Sequence, residues 1–104
     1  MKLAYDGTEF WGWQSQKEGR TVQQEIEKVL TSIAKTKIGV VGAGRTDAGV
    51  HALAQYAHFN FPIIMTEDQI LKAIQAKISK DIQIIPKHNI SIKFLPDLIK
   101  DIFL

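Results

Sequence analysis

The sequence predicts an α+β domain in which an antiparallel sheet carries two helices on one face. Three observations lead there. Two Thr-x-x-Gln capping boxes, at Thr21–Gln24 and Thr66–Gln69, each precede an apolar stripe at helical spacing. A segment of period two lies between them, from Leu53 to Phe61. Short apolar runs, Lys2–Tyr5 and Ile82–Ile85, open and close the pattern.

Taken in order, Lys2-Leu3-Ala4-Tyr5 reads as a first strand, with Asp6-Gly7 as the turn behind it. Phe10-Trp11-Gly12-Trp13-Gln14 is an aromatic loop with a glycine hinge, and Gln16 to Gly19 is polar linker. Behind Thr21, the residues Val22, Ile26, Val29, Leu30 and Ile33 mark one face of a helix over about 21–35, with Lys35 and Lys37 suited to its C-terminal end. Ile38 to Val41 is expected to be a strand running into a glycine cluster. In the next strand Leu53, Ala57, Phe59 and Phe61 share one parity, and Ala54, Tyr56, His58 and Asn60 the other; Pro62 ends it. Ile70, Ala73, Ile74 and Ile78 predict a helix over about 67–78, and Ile82 to Ile85 a fourth strand closed by Pro86. Strand, helix, strand, strand, helix, strand is the split βαβ, or ferredoxin-like, order. Such a sheet leaves one face free, and RNA-binding modules often use that face.

Composition narrows the classes. A chain of 104 residues, 45% of them apolar, fits one domain with a modest core. The net charge of +2 permits a nucleic-acid partner without requiring one. Cysteine is absent, which excludes a disulfide framework and thiolate chemistry. The opening residues have no long apolar stretch of the signal-peptide kind, and no apolar run reaches membrane-spanning length. The expectation is a cytoplasmic domain with no membrane partner. Residues 87–104 read as a divergent or truncated tail, with Leu95, Leu98, Ile99, Ile102 and Phe103 at helical spacing.

The stretch Gly42-Ala-Gly-Arg-Thr-Asp-Ala-Gly-Val-His-Ala52 stands out. Small residues let backbone or a ligand come close, and the long or charged groups left among them are Arg45, Asp47 and His51. An arginine can fork onto phosphate or stack on a base. A carboxylate beside it can serve as nucleophile or base. That pairing suits chemistry on a nucleotide; the alternative is an Arg–Asp ion pair that pins its own turn. A dinucleotide fingerprint fits poorly, because a strand rather than a helix follows. His51, His58 and His88 lack carboxylate or cysteine partners at metal spacing. Trp11 and Trp13 fit either base-stacking platforms or packing between loop and sheet.

Three stretches in order, AYDGTEFWGWQSQ at 4–16, RTVQQEIEKVL at 20–30 and AGRTDAGVHALAQYAHF at 43–59, resemble the tRNA pseudouridine synthase A family, with a looser match from Ile70 through KISKDIQII at 77–85. The resemblance covers about residues 1–86, an N-terminal catalytic half-domain. It implies an isomerase that converts uridine to pseudouridine in the anticodon arm of tRNA by cutting the N-glycosidic bond, turning the uracil and rejoining it through C5. It implies no cofactor and no metal. It assigns the essential carboxylate to Asp47 and nucleotide capture to Arg45, which fills the space that a flipped nucleotide leaves. Arg20, Gln23, Asp6, Trp13 and Gln14 fall in segments near the cleft, and Lys17 and Arg20 are candidates for phosphate contact. Family members are normally more than twice this length, with two α/β domains flanking the cleft, and act as homodimers. This chain is therefore expected to be an N-terminal fragment, weak or inactive alone. The alternatives are a non-catalytic RNA-binding module and a non-functional truncated product.

Overall fold

The computed structural model describes residues 1–85. It contains β1 (Lys2–Tyr5), a 3₁₀ turn (Gly7–Glu9), α1 (Val22–Ala34), β2 (Val41–Gly42), β3 (Ala52–His58), α2 (Glu67–Lys77) and β4 (Ile82–Ile85). The sheet order is β2-β3-β1-β4, and every neighbouring pair is antiparallel. This is the ferredoxin-like split βαβ. The expected tail at 87–104 lies outside the described residues.

Both helices start where the capping boxes place them. In each, the threonine hydroxyl accepts the backbone N–H of the glutamine three residues on, and that glutamine's side chain accepts the threonine N–H. Each box satisfies two donors that a helix start otherwise leaves unpaired. α1 buries Val22, Ile26, Val29, Leu30 and Ala34, and α2 buries Leu71 and Ile74. These join Leu3, Tyr5, Ile82 and Ile84 from the sheet in one cluster, so both helices cover the same sheet face. Truncating a fully buried member such as Ile26 to alanine costs about 2–5 kcal/mol. α1 ends on Lys35 at φ 61, a left-handed cap made by a residue other than glycine.

Two expectations are corrected. Ile38–Val41 is not a strand: β2 is only Val41–Gly42. The reason is that α1 takes the ladder groups of the preceding residues. Ile38 N–H donates to Thr31 Oγ1, Val40 N–H donates to Glu27 Oε2, and Val40 C=O accepts from Gln23 Nε2. Residues 38–40 are thus tied to the helix. β3 ends at His58 instead of Phe61, and its register is not uniform: Leu3 pairs Gln55 while Tyr5 pairs Ala52. Two steps along β1 therefore match three along β3, a β-bulge. The bulge takes Leu53 off the buried parity, leaving it 38% exposed, and seats Ala52 against the core instead. Phe59 and Phe61 pack on the core from beyond the strand, edge to face with each other.

Candidate active site

The glycine-rich stretch joins β2 to β3 and lies against the aromatic loop of residues 10–13. Trp13 N–H donates to Thr46 C=O at 3.1 Å, Gly49 N–H donates to Phe10 C=O at 3.0 Å, and Trp11 pairs with Ala48 across an antiparallel bridge. Gly12 lies opposite this stretch with φ +82, and a Cβ there would run into Thr46 C=O. Gly42 gives way to an indole: a Cβ would sit 2.5 Å from Cε2 and Nε1 of Trp13. Trp13 itself is 2% exposed and stacks on Tyr5, so it is the packing member of the tryptophan pair.

Side chains beneath the stretch hold it further. The Tyr5 hydroxyl and Thr46 Oγ1 are hydrogen-bonded at 2.6 Å. Burial raises the Tyr5 pKa above its ordinary value, and the Thr46 bond partly offsets this. Gln55, buried on β3, donates through Nε2 to Gly44 C=O at 2.6 Å, and its Oε1 accepts Tyr56 N–H at 3.0 Å. His51 Nδ1 accepts Gly7 N–H at 2.9 Å. Asp6 Oδ1 is 3.3 Å from the same nitrogen, but that oxygen is already occupied by Thr8 N–H and Thr8 Oγ1. The shorter Gly7 bond makes Nδ1 an acceptor that ties His51 to the backbone of the turn after β1.

Arg45 and Asp47 are different. Both are exposed, and among the described residues neither side chain makes a hydrogen bond or an ion pair. The turn-pinning pair that the sequence allowed is therefore not formed. The turn is pinned by its backbone and by Thr46, whose two neighbours are left available.

The remaining candidates fall into three places. Trp13, Gln14, Gln23 and Arg45 line one pocket of about 190 Å³ beside β2. Gln23 is also a brace: its Oε1 accepts Ser15 N–H, and its Nε2 donates to Val40 C=O. Lys17 is exposed in the linker. Arg20 stands apart, with Nε on Glu25 Oε1 at 2.8 Å and its two terminal nitrogens on the Asp81 carboxylate at 2.8 and 3.2 Å. Its guanidinium also lies 4.2 Å from the Phe10 ring centre. The Asp81 hydrogen bonds are the main reason that the Arg20 pKa is raised. Burial pushes Asp81 upward, but hydrogen bonds from Arg20 and Ser79 with the Arg20 charge outweigh it, so its carboxyl is held below the ordinary value. Arg20 thus ties the start of α1 to the turn before β4.

Sequence reasoning missed Tyr5, Thr46 and Gln55. Gln55 was visible as a lone polar residue on the apolar parity of β3. Among the described residues no group of three potential metal ligands comes together, and no helix is long and apolar enough to cross a membrane.

A family model described as tRNA pseudouridine synthase matches residues 2–91. The chain is 45% identical over 96 residues to tRNA pseudouridine synthase A of Thermodesulfovibrio yellowstonii, covering 92% of this chain and 38% of that protein. It is 42% identical over 92 residues to tRNA pseudouridine synthase A of Maridesulfovibrio salexigens, covering 88% and 34%. It is 49% identical over 81 residues to tRNA pseudouridine synthase A of Geobacillus kaustophilus, covering 77% and 31%. The chain spans about a third of the length of these curated relatives. With the family model matched across most of its residues and the split βαβ fold in place, the chain belongs to the tRNA pseudouridine synthase family.

Proposed function

We propose that this chain is the aspartate-bearing half of a uridine-to-pseudouridine isomerase acting on the anticodon arm of tRNA. One observation carries the reading: Arg45 and Asp47 are exposed and unpaired among the described residues, on a stretch whose backbone is fixed from both sides. A carboxylate on an anchored backbone and with no protein partner is open to a substrate, and no ion pair has to break when the substrate arrives. In the isomerisation the N1–C1′ bond breaks, the uracil turns, and a C5–C1′ bond forms. The C5 proton is lost and N1 gains one, so the net composition is unchanged. Asp47 acts at the sugar or base as nucleophile or general base, and Arg45 holds the flipped nucleotide. The chemistry draws on no cofactor. Groups from the far side of the cleft complete the site, as the relatives' greater length allows, and the full-length protein works as a homodimer in the cytoplasm.

The test is Asp47→Asn, assayed for pseudouridine formation in tRNA and for tRNA affinity by filter binding. Both assays are run on the chain alone and on the chain supplemented with the remainder of a full-length relative. Asparagine keeps the size but cannot act as nucleophile or base, so turnover is abolished while affinity, drawn mostly from phosphate contacts, stays near wild type. Arg45→Ala lowers both. Substantial turnover by the Asn variant refutes the assignment. A wild-type chain that neither binds tRNA nor, when supplemented, forms pseudouridine overturns the whole reading.

A further inference from the structure

The two tryptophans of the aromatic loop have opposite fates. Trp13 is 2% exposed in the core, whereas Trp11 is 56% exposed. A single exposed aromatic side chain is common on a protein surface, so its setting decides what it is for. Among the described residues, Gly19 covers one side of Trp11: a Cβ on Gly19 would collide with Cγ, Cδ1 and Cδ2 of its pyrrole ring, so the Gly19 backbone lies directly against the indole. Its backbone is held independently. Trp11 N–H donates to Arg20 C=O, its own C=O accepts Gln16 Nε2, and it is bridged to Ala48. The ring is therefore a platform backed by the linker and anchored at its base.

Its place matters. Bridge partners have Cα atoms about 4.5–5.5 Å apart and consecutive residues about 3.8 Å, so the Trp11 Cα lies within roughly 9 Å of that of Asp47. A nucleotide at Asp47 and its neighbour in the strand span such a distance. We infer that Trp11 is the stacking platform for the nucleobase adjacent to the target uridine. This rests on the proposed function and adds a recognition residue to it. Stacking on indole tolerates any base, because every base has a π-face. The contact therefore positions the strand without reading its sequence, which suits an enzyme that must hold the flanking nucleotide while the target is turned out.

Fluorescence gives a direct test, because the chain has two tryptophans and Trp13 is buried. The probes are a single-stranded oligouridylate and an RNA hairpin with the shape of an anticodon arm. Titrating either into the wild-type chain quenches emission, and Trp11→Phe removes that quench while leaving the Trp13 signal. Trp11→Ala weakens binding roughly 5- to 150-fold, the range for loss of one stacked base. Trp11→Phe, which keeps an aromatic face, recovers most of the loss, and the urea midpoint is unchanged in both. Three results overturn the inference: RNA binding without a change in wild-type emission, wild-type affinity in the Ala variant, or a Phe variant as weak as the Ala variant. Loss confined to the urea midpoint overturns it too, since Trp11 then serves only to hold the linker. If the wild-type chain binds neither probe, this inference falls, and pseudouridine formation by the supplemented chain decides the functional proposal separately. If it binds with Trp11 uninvolved, only this inference falls.

Discussion

Thr46 is the hinge between structure and chemistry in the candidate site, and its replacement separates the two. Thr46→Val keeps the β-branched shape and removes the hydroxyl. What it removes is the 2.6 Å bond to the Tyr5 hydroxyl, which lies on a residue with no exposed surface. A buried hydroxyl left without a partner costs about 1–3 kcal/mol. Thr46 is half-buried, so water can reach part of the gap and the lower part of the range applies, about 1–2 kcal/mol. With a denaturant slope of about 1 kcal/mol/M, typical of small domains in urea, the midpoint falls by about 1–2 M. Tyr5→Phe removes the same bond from the other side and leaves a hydroxyl that solvent can reach, so it costs about 0.5–1.5 kcal/mol. The double variant leaves no orphan and costs less than the sum, with a coupling of at least about 0.5 kcal/mol. The assay is urea unfolding followed by far-ultraviolet circular dichroism on all four proteins. Tyr5 adds a pH signature. Its pKa is raised in the folded state, so above about pH 10 the unfolded chain releases its proton first and stability falls as pH rises. Tyr5→Phe removes that alkaline decline. Additive single costs, or an alkaline limb that persists without Tyr5, would refute the claim that this bond anchors the stretch.

Two further outcomes follow from the same contacts. Asp81→Asn breaks the charged pairing with Arg20 and, with the pair partly exposed, costs about 1–2 kcal/mol. Because the Asp81 pKa is lowered by folding, its contribution is present above about pH 4 and lost as pH falls through the folded value, so urea midpoints measured from pH 6 down to pH 2 fall less steeply for the variant. Gly42→Ala drives a methyl group to 2.5 Å from the buried Trp13 ring and costs about 1–3 kcal/mol with an altered near-ultraviolet dichroism spectrum. Gly44→Ala serves as its control: the added Cβ meets Gln55 Oε1 at 3.7 Å, an ordinary contact, and stability stays within about 0.5 kcal/mol.

The helices were the legible part of this fold because each carries its own start signal. Thr21 and Thr66 place the N-caps through bonds to residues three positions away, and nothing distant can move them. β4 was legible for a similar reason, bounded by Asp81 and Pro86. β2 was not. Ile38–Val41 has strand composition, but its partners are decided by Glu27, Gln23 and Thr31, polar residues of α1 that reach across a connection no local pattern reveals. The bulge in β3 was hidden likewise, since it is a property of the pairing with β1 and not of either strand. At the site, Arg45 and Asp47 could be singled out as charged residues among small ones, whereas their availability could not. The sequence around Arg20 reads as equally basic, and it is neutralised by Glu25, five residues on, and by Asp81, sixty-one residues on. Nor does sequence distinguish Trp11 from Trp13, two residues apart on the same loop, because exposure depends on which of them meets Tyr5.

That contrast between Arg20 and Arg45 bears on what the glycine-rich stretch is for. A loop can be held in place by its charged side chains or by its backbone, and the choice decides what remains free. Here the backbone does the holding. Trp13, Phe10 and Gln55 take the main-chain groups of Thr46, Gly49 and Gly44, and Tyr5 takes the Thr46 hydroxyl. Gly12 faces this stretch without a side chain, so nothing from the aromatic loop at that point covers Asp47 or offers it a donor. A carboxylate kept for stability would be expected to look like Asp81, half-buried and doubly bonded to arginine. Asp47 has the opposite environment, and the same chain builds both. Asp47→Asn should therefore leave the unfolding free energy from urea titration within about 0.5 kcal/mol of wild type, while Asp81→Asn lowers it. The reverse pattern, with Asp47 structural and Asp81 dispensable, would show that the glycine-rich stretch is a self-pinned turn.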